Sequence, residues 1–289
     1  MASASGPLKG KVAVVTGATS GIGRWAAEEL ARNGATTVVV GRSQTRAVGA
    51  AGEIARATGN AEVYPVPVTD LALRSEVARL ASVLQERHPR IHILVHNAGA
   101  YFHRREVTSE GLERTFALNA LAPFLLTSRL QRTLIESAPA RVVMVASEAH
   151  RGHDLNFDDL QEDHGYRGFR AYSRSKLAVM LLTREFSHRL DAHAVTVNAV
   201  HPGFVASGFG RNNGGAVGFG IGLAAMLFGR NPRAAGRDVA WLATDASLAA
   251  VTGAYFSRRR RKAGSPQSQD AVSALRLFDA CAEMARPFL

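Results

Sequence analysis

Short β-branched segments alternate with amphipathic segments of helical length along almost the whole of this 289-residue chain. The β-branched segments cover residues 12–16, 37–40, 63–68, 91–95, 141–145 and 195–200. Strands that are separated by helices run parallel, because each right-handed crossover returns the chain to the same edge of the sheet. The alternation therefore predicts an α/β protein with a doubly wound parallel sheet between two layers of helices.

Length, composition and two prolines indicate the domain organisation. Hydrophobic residues make up 46% of the chain, and no change of composition marks a linker. We predict one domain over residues 1–289, with a substrate-side lid over residues 203–232 and a C-terminal extension over residues 258–289. Pro65 and Pro67 interrupt the third strand, and proline is tolerated mainly in edge strands. The strand order 3-2-1-4-5-6 places that strand at an edge.

The composition of the chain indicates which partners and which cellular compartment to expect. Lys and Arg outnumber Asp and Glu by 35 to 24, which favours anionic partners such as a cofactor phosphate, nucleic acid or an acidic membrane. Cys281 is the only cysteine, so an internal disulfide is impossible. The first residues lack the features of a signal peptide, and the longest apolar run, residues 216–228, is too short to span a bilayer. We predict a soluble, cytoplasmic protein.

A glycine-rich turn lies between the first strand and the first helix. Glycines let the backbone approach a pyrophosphate at the amino end of a helix, where free amides and the helix dipole attract anions. The spacing departs from G-x-G-x-x-G, and a glycine-rich turn alone is as often a plain tight turn. Its position favours a dinucleotide site that is formed by Gly17, Thr19, Ser20, Gly21, Ile22 and Gly23.

The end of the second strand indicates which dinucleotide is bound. An NAD site would place Asp or Glu there to hold the ribose 2′-hydroxyl, whereas this chain has Arg42 and Ser43. A guanidinium can hold a 2′-phosphate through two hydrogen bonds, so the sequence predicts NADP(H), unless Arg42 is merely solvated. Asp70, after the third strand, is placed either to meet the adenine edge or to cap a helix that starts near Leu71.

Tyr172 and Lys176 are four residues apart at the start of a helical pattern, which places them on one helix face. A free tyrosine has a pKa near ~10, too high for a base at neutral pH. A positive charge from Lys176 and a nicotinamide would favour the phenolate. Tyr172 is therefore a candidate proton donor or acceptor, although Y-x-x-x-K alone is a weak motif.

Two further polar residues support a catalytic site. Ser147 lies at the carboxyl end of the fifth strand, where open α/β sheets bind ligands, and its hydroxyl is placed to hydrogen-bond a substrate oxygen. Asn119 lies within an apolar helix predicted over residues 112–135, where a buried amide needs partners. It either binds water or a polar partner for the reaction, or makes a structural bond in the helix.

Taken together, these motifs resemble those of the short-chain dehydrogenases and reductases over nearly the whole chain. The matching motifs are Thr16-Gly17-x-x-x-Gly21-x-Gly23, Asn97-Ala98-Gly99, Asn119, Ser147, Tyr172-x-x-x-Lys176 and Pro202-Gly203. The retinol-dehydrogenase-like branch is similar in Val145-Ala146-Ser147-Glu148-Ala149-His150, Asp159-Leu160-Gln161, His201-Pro202-Gly203 and Thr252-Gly253-x-Tyr255-Phe256.

The resemblance implies a three-layer, Rossmann-type fold and a role for each catalytic residue. It implies that Tyr172 is the acid and base, that Lys176 lowers its pKa and binds the nicotinamide ribose, that Ser147 polarises the carbonyl and that Asn119 supports a water-linked proton relay. It also places a set of residues against the cofactor: Asn97, Ala98, Gly99, Pro202, Gly203, Val205 and Ser207. A homodimer or homotetramer is implied in the same way.

The chain departs from the family pattern at two positions. His96 stands where the family commonly has Asn, and Ala146 where it often has Ser. Neither change removes a catalytic group. The stretch between Ser147 and Tyr172 is longer than in many members, so we expect it to border the substrate pocket.

Other signals are weaker. His92 and His96, or His150, His153 and Asp154, suggest metal ligands, but their spacing is not standard and hydride transfer needs no metal, so we predict none. His150 and His153 are expected at the mouth of the pocket instead. The basic run over residues 258–262 has no interleaved aromatic residues, so we interpret it as a solvated loop and expect no nucleic acid partner.

The predicted lid favours a hydrophobic substrate, because it carries Phe204, Phe209, Phe219, Met226 and Phe228, although some of these side chains are expected in the core. The sequence thus predicts an NADP(H)-dependent oxidoreductase that acts on an apolar alcohol or carbonyl compound, and it favours reduction of the carbonyl. The alternatives are a catalytically idle NADP(H) sensor and a protein that binds nucleic acid or a membrane surface through the basic run.

Overall fold

The computed structural model describes residues 6–205 and 229–289, and a single sheet runs through them. Its eight strands lie in the order β3-β2-β1-β4-β5-β6-β7-β8, and all neighbouring strands are parallel except β7 and β8. The strands are β1 Val12–Thr16, β2 Thr36–Gly41, β3 Val63–Pro67, β4 Ile93–His96, β5 Ala140–Val145, β6 Val195–His201, β7 Tyr255–Ser257 and β8 Arg260–Lys262. The predicted doubly wound sheet is confirmed, with the proline-containing β3 at its edge.

Helices cover both faces of the sheet in the described part of the chain. They are α1 Gly21–Arg32, α2 Gln44–Thr58, α3 Arg74–Arg87, α4 Arg114–Phe116, α5 Ala122–Glu136, α6 Gly168–Leu190, α7 Pro232–Thr244 and α8 Ala271–Ala285. A π-helical turn, Ala117–Leu121, joins α4 to α5. The helix that was predicted over residues 112–135 is present over residues 114–136, but near its start one turn is π-helical, with hydrogen bonds between residues five apart.

Alternate residues of each strand face opposite helical layers. In β1, Val14 packs in the core with α3, α5 and α6, whereas Ala13 and Val15 pack with α1, α2 and α7. Helices α1 and α7 approach closely because α7 carries Gly236. A Cβ at that position would lie 2.5 Å from the Cβ of Trp25.

The C-terminal segment is part of the first of these two cores. Helix α8 places Leu277 and Cys281 among fully buried side chains of α5 and α6. Phe278 of α8 makes edge contacts with Phe124 and Phe186, with ring centroids 4.9 and 5.2 Å apart. Burial also raises the pKa of the Cys281 thiol, so it is a packing residue.

The basic run differs from its interpretation as a loop. Arg260–Lys262 forms β8, which pairs antiparallel with β7 and has all three residues exposed. Arg258 and Arg259 make the tight connection, with φ values of 50° and 59°. Exposed basic side chains suit an edge strand, because they prevent the strand from pairing with another chain. The solvated character was therefore predicted correctly and the backbone conformation was not.

No helix in the two described ranges is both long and apolar enough to cross a bilayer.

His96 ends β4 in an interior site. Its ring Nε2 lies 2.8 Å from the hydroxyl of Thr127, and burial lowers the pKa of His96 to about 3. The histidine of an unfolded chain titrates near ~6.5. Between these two values unfolding takes up a proton at His96, so the free energy of unfolding falls as the pH falls through this range.

We predict that His96→Asn makes the protein less sensitive to acid. One proton fewer is taken up on unfolding, so the slope of the unfolding free energy between about pH 5.5 and 4 should decrease by about 1.4 kcal/mol per pH unit. Urea denaturation at a series of pH values measures the slope. His188→Asn, at an exposed position of α6, is the control and should leave it unchanged. Equal slopes for the wild type and His96→Asn would contradict the prediction.

Candidate active site

The glycine-rich turn packs too tightly for any side chain at its central positions. Gly17 and Gly21 have left-handed φ values of 65° and 56°. A Cβ on Gly23 would lie 2.3 Å from Nδ2 of Asn97 and 2.6 Å from the carbonyl oxygen of Gly17. Ser20 precedes α1 without capping it through its side chain, which leaves the first amides of the helix available for an anion.

Asn97 and Thr16 hold this turn against the end of β4. Nδ2 of Asn97 donates to the carbonyl oxygens of Thr16 and Gly17, at 2.9 and 3.2 Å. The hydroxyl of Thr16 accepts from the amides of Asn97 and Ala98, at 3.0 and 3.1 Å. Asn97 therefore shapes the turn from behind, a task that the sequence alone did not indicate.

The turn also contacts the end of β2, where the predicted phosphate-binding residues begin. A Cβ on Gly41 would lie 2.2 Å from Cγ2 of Thr19. Arg42 is exposed and pairs with no group of the described residues. The hydroxyl of Ser43 accepts from the amide of Arg46 at 3.4 Å and caps α2, which leaves its proton free to be donated.

Asp70 is held by groups of the protein. Its Oδ1 accepts from the amide of Ala72 at 2.9 Å, and its Oδ2 accepts from the guanidinium of Arg114. The helix expected near Leu71 begins only at Arg74, so Asp70 closes the turn before the helix and does not cap it. Contact of Asp70 with an adenine stays a prediction.

Tyr172 and Lys176 lie on one face of α6, and Ser147 directly follows β5. The Ser147 hydroxyl is hydrogen-bonded to the phenol of Tyr172. Nζ of Lys176 donates to the carbonyl oxygen of Val145 at 2.9 Å and lies 5.8 Å from the centre of the Tyr172 ring. The structure thus brings these side chains together at the carboxyl edge of the sheet.

In the protein without a bound ligand, burial sets the direction in which the pKa values of Tyr172 and Lys176 shift. Burial raises the pKa of Tyr172 to about 12, against a smaller opposing effect of the Ser147 hydrogen bond. Burial lowers the pKa of Lys176 to about 8. The expected stabilisation of phenolate is therefore not met by the protein alone, because loss of water outweighs the hydrogen bond of Ser147. Tyr172 carries its proton at neutral pH.

Asn119 lies in the π-helical turn and makes a closed set of hydrogen bonds. Its Oδ1 accepts from the amide of Ala100 at 2.9 Å, and its Nδ2 donates to the carbonyl oxygen of Ala100 at 2.9 Å. Nδ2 also donates to the hydroxyl of Ser175 at 3.0 Å, and that hydroxyl donates to the backbone oxygen of Tyr172 at 2.7 Å. Ser175, missed in the sequence although it lies inside the Y-x-x-x-K motif, thus links Asn119 to α6.

The segment after β6 borders the same edge. Gly203 has a left-handed φ of 91°, and Val205 forms a β-bridge with Arg230. Nη1 of Arg230 donates to the carbonyl oxygen of Pro202 at 3.1 Å. Ser207 and the predicted lid residues Phe209, Phe219, Met226 and Phe228 lie outside the described residues.

An ion-pair cluster anchors the far end of this segment. Asp238 of α7, which is buried, accepts from Arg230 at 2.6 Å and from Arg259 at 3.0 Å. The three charged residues come from different segments of the chain, so no local sequence pattern predicts their contact.

His150 is fully buried, so its expected position at the mouth of a pocket is wrong. The amide of Ser265 donates to its Nε2 at 3.1 Å, so Nδ1 carries the proton and donates to the carbonyl oxygen of Ser147 at 2.6 Å. His150 therefore supports the backbone of Ser147. Within residues 6–205 and 229–289, no group of three or more His, Cys, Asp or Glu is placed to hold a metal ion.

Comparisons with known proteins agree with this architecture. The model of the short chain dehydrogenase family matches residues 11–217. The chain is 37% identical to human retinol dehydrogenase 13, over 96% of this chain and 85% of that protein.

Two solved structures are similar over most of the chain. RhlG from Pseudomonas aeruginosa, in an active-site complex with NADP, has a TM-score of 0.69 and 26% identity and covers 89% of this chain and 97% of its own. The landomycin C-6 ketoreductase LanV, with bound NADP and rabelomycin, has a TM-score of 0.67 and 30% identity and covers 88% and 96%.

We predict that Gly23→Ala disrupts the glycine-rich turn. The added methyl overlaps the Gly17 carbonyl and Asn97, so the unfolding free energy should fall by about 1–3 kcal/mol and binding of NADPH should be lost. Thermal denaturation and nicotinamide fluorescence measure both effects. Gly49→Ala is the matched control, because nothing lies within 4 Å of a Cβ at that helical position. It should bind normally and be slightly stabilised. Normal binding by Gly23→Ala would refute this role of the turn.

Proposed function

The chain belongs to the short-chain dehydrogenase family, in its retinol-dehydrogenase-like branch, and on that basis we propose that it transfers a hydride between NADP(H) and a hydrophobic alcohol or carbonyl compound, mainly as a carbonyl reductase. The observation that carries the proposal is the assembly of Ser147, protonated Tyr172 and Lys176 at the carboxyl edge of the sheet. This edge is where doubly wound folds bind their ligands.

The residues at this edge fit a dinucleotide. The turn is packed so closely against Asn97 that no Cβ fits at Gly23, and the first amides of α1 are available for a pyrophosphate. Lys176 is the candidate for the nicotinamide ribose. The other candidate cofactor residues after the turn are Asn97, Ala98, Gly99, Pro202, Gly203 and Val205, with Ser207 as a further candidate outside the described residues. When bound, the reduced nicotinamide supplies the hydride.

The preference for NADP(H) rests on Arg42 and Ser43. Arg42 is exposed at the end of β2 with its charge uncompensated by the described residues. Such a guanidinium is suited to a 2′-phosphate, whereas a carboxylate would be needed to favour the hydroxyl of NAD. The similar structures RhlG and LanV are complexes with NADP, which supports this choice.

The proton chemistry follows from the burial of Tyr172. In reduction, a hydride adds to the carbonyl carbon while the phenol of Tyr172 gives its proton to the carbonyl oxygen, and an alcohol forms. The Ser147 hydroxyl is placed to donate a hydrogen bond to the same oxygen as its negative charge develops. The phenolate that remains lies beside the Lys176 ammonium, which stabilises it until it is reprotonated.

Reduction is the favoured direction for two reasons. The pKa of Tyr172, about 12 in the protein alone, keeps the phenol ready to donate at neutral pH. Oxidation of an alcohol would instead need the phenolate. Cells also keep their NADP pool largely reduced, which favours reduction by an enzyme with this cofactor preference.

The substrate proposed is apolar. Phe204, which follows β6 at the edge of the site, has 51% of its surface exposed, and relatives in this branch are named for retinol. We retain residues 203–232 as the substrate-side lid of a single domain, residues 1–289. The burial of Leu277 and Cys281 supports including the extension, residues 258–289, in that domain.

We predict that Arg42→Asp reverses the cofactor preference. The carboxylate repels a 2′-phosphate and accepts from a 2′-hydroxyl, so the ratio of kcat/KM for NADPH to that for NADH should fall by at least about a hundredfold. Reduction of dodecanal, followed by nicotinamide absorbance, measures the ratio. Arg56→Asp makes the same charge change at the far end of α2 and should preserve it. A wild-type preference for NADH, or no reduction of apolar carbonyls with either cofactor, would contradict the proposed function.

A further inference from the structure

Nine of the described residues line a cleft at the carboxyl edge of the sheet, and four of them are cations: Arg151, Arg258, Arg260 and Lys262. Among these nine residues, Glu148 carries the one carboxylate. This is a concave site, in which charges converge, and not a scattered basic surface. Such a concentration of positive charge favours an anionic ligand.

The carboxylate of Glu148 does not neutralise the cleft. It accepts from Nε of Arg151 and from the phenol of Tyr255, each at 2.6 Å. Arg258, Arg260 and Lys262 pair with no carboxylate in the part of the chain that the structure describes. Arg259, by contrast, turns away and pairs with Asp238 at 3.0 Å. Three positive charges of the hairpin are thus left for a ligand.

A neutral hydrogen-bonding group also lines the cleft. Nδ1 of His201 is buried there without a hydrogen-bond partner among the described residues, and burial lowers the pKa of His201. A buried ring nitrogen without a partner is unfavourable, and a bound ligand or its water would satisfy it.

The turn between β7 and β8 carries arginines in an unfavourable backbone conformation. Arg258 and Arg259 both have left-handed φ values, where Asn and Gly are usual and where an arginine is unfavourable. Side chains alternate along β8, so Arg260 and Lys262 line the cleft and Arg261 does not. Protection of an edge strand explains why β8 carries basic side chains on both of its faces. It does not explain why Arg260 and Lys262 face the same cleft as Arg151 and Arg258.

The cleft lies next to the candidate active site on the same edge of the sheet. Glu148 directly follows Ser147, and the carboxyl ends of β5, β6 and β7 lie side by side, next to the start of β8. Strands are about 4.8 Å apart, so β8 lies roughly 14 Å from Ser147 across three strand spacings. A chain of moderate length would span this distance.

We propose that the cleft binds an anionic group, a carboxylate or a phosphate, at the far end of an extended apolar substrate whose carbonyl reacts between Ser147 and Tyr172. Guanidinium groups bind both kinds of anion through paired hydrogen bonds. This inference rests on the proposed function for the reaction, while the anion site itself rests on the cleft. It narrows the substrate class from apolar carbonyl compounds to those with a remote negative charge.

The test compares R260Q with R261Q, which remove the same charge from adjacent residues on opposite faces of β8. Calorimetry measures binding of dodecanoate and dodecyl phosphate to the full chain. We expect R260Q to weaken binding of the preferred anion about tenfold, the effect of one lost charge-assisted hydrogen bond, and R261Q less than about twofold. The stronger of the two ligands identifies carboxylate or phosphate as the group bound. Failure of both ligands to bind, or equal losses in the two variants, would overturn the site.

A kinetic arm tests the link to the reaction. The KM for dodecanal is compared with that for the same aldehyde carrying a carboxylate or phosphate at its far carbon. The ratio of these KM values should favour the anionic aldehyde in the wild type and R261Q, and shift about tenfold against it in R260Q. An unchanged ratio would overturn the assignment of the cleft to the substrate. Anion binding that depends on Arg260 without reduction of either aldehyde would refute the proposed function and leave the anion site standing.

Discussion

The hydrogen bonds of Asn97 to the backbone of Thr16 and Gly17 join the two halves of the site. They tie the glycine-rich turn after β1 to the segment after β4. The same segment continues to Ala100, whose backbone holds both ends of the Asn119 amide. Asn119 reaches Ser175, and Ser175 reaches the backbone of Tyr172. A continuous set of hydrogen bonds therefore connects the glycine-rich turn to the helix that carries the phenol.

This connection gives the π-helical turn a physical role. Asn119 lies in this turn, Ala117–Leu121, and is buried. In that position its side-chain amide is hydrogen-bonded to Ala100 and Ser175. The observed contacts of Asn119 are structural, and they hold the segment after β4 against the helix that carries Tyr172 and Lys176. A role of Asn119 in the reaction stays a prediction.

Burial has opposite consequences for the two titrating groups of the site. It raises the pKa of Tyr172 and lowers that of Lys176, because each charged form loses water. The protein alone therefore holds a protonated phenol beside an ammonium of reduced pKa, which suits proton donation to a carbonyl oxygen. Ser265 fixes the tautomer of His150, and His150 donates to the backbone oxygen of Ser147. The side chain of Ser147 is the hydrogen-bond partner of the phenol.

Local patterns were enough to predict the sheet and to identify the candidate residues that meet at its edge. The first six strands begin and end within two residues of their predicted bounds, and the prolines of β3 mark the edge as expected. The sequence did not predict β7 or β8, because each has only three residues and β8 is made of charged residues with little strand propensity.

Tertiary contacts account for the other differences. The buried position of His150 depends on Ser265, more than a hundred residues away, and the cluster around Asp238 joins residues from separate segments. The raised pKa of Tyr172 depends on how completely the fold excludes water, which residue spacing does not reveal. Each of these features arises from packing between distant segments, to which a reading of local periodicity has no access.

The central claim is that the phenol of Tyr172 supplies the proton that the carbonyl oxygen receives. Single-turnover reduction of dodecanal with deuterated NADPH, comparing the wild type with Tyr172→Phe, tests this claim directly. The account predicts a loss of about 10²- to 10⁴-fold in the rate of deuteride transfer with NADPH affinity retained, since only the hydroxyl is removed. Tyr64→Phe, at an exposed position of β3, should transfer deuteride at the wild-type rate. An unchanged rate in Tyr172→Phe would contradict the account.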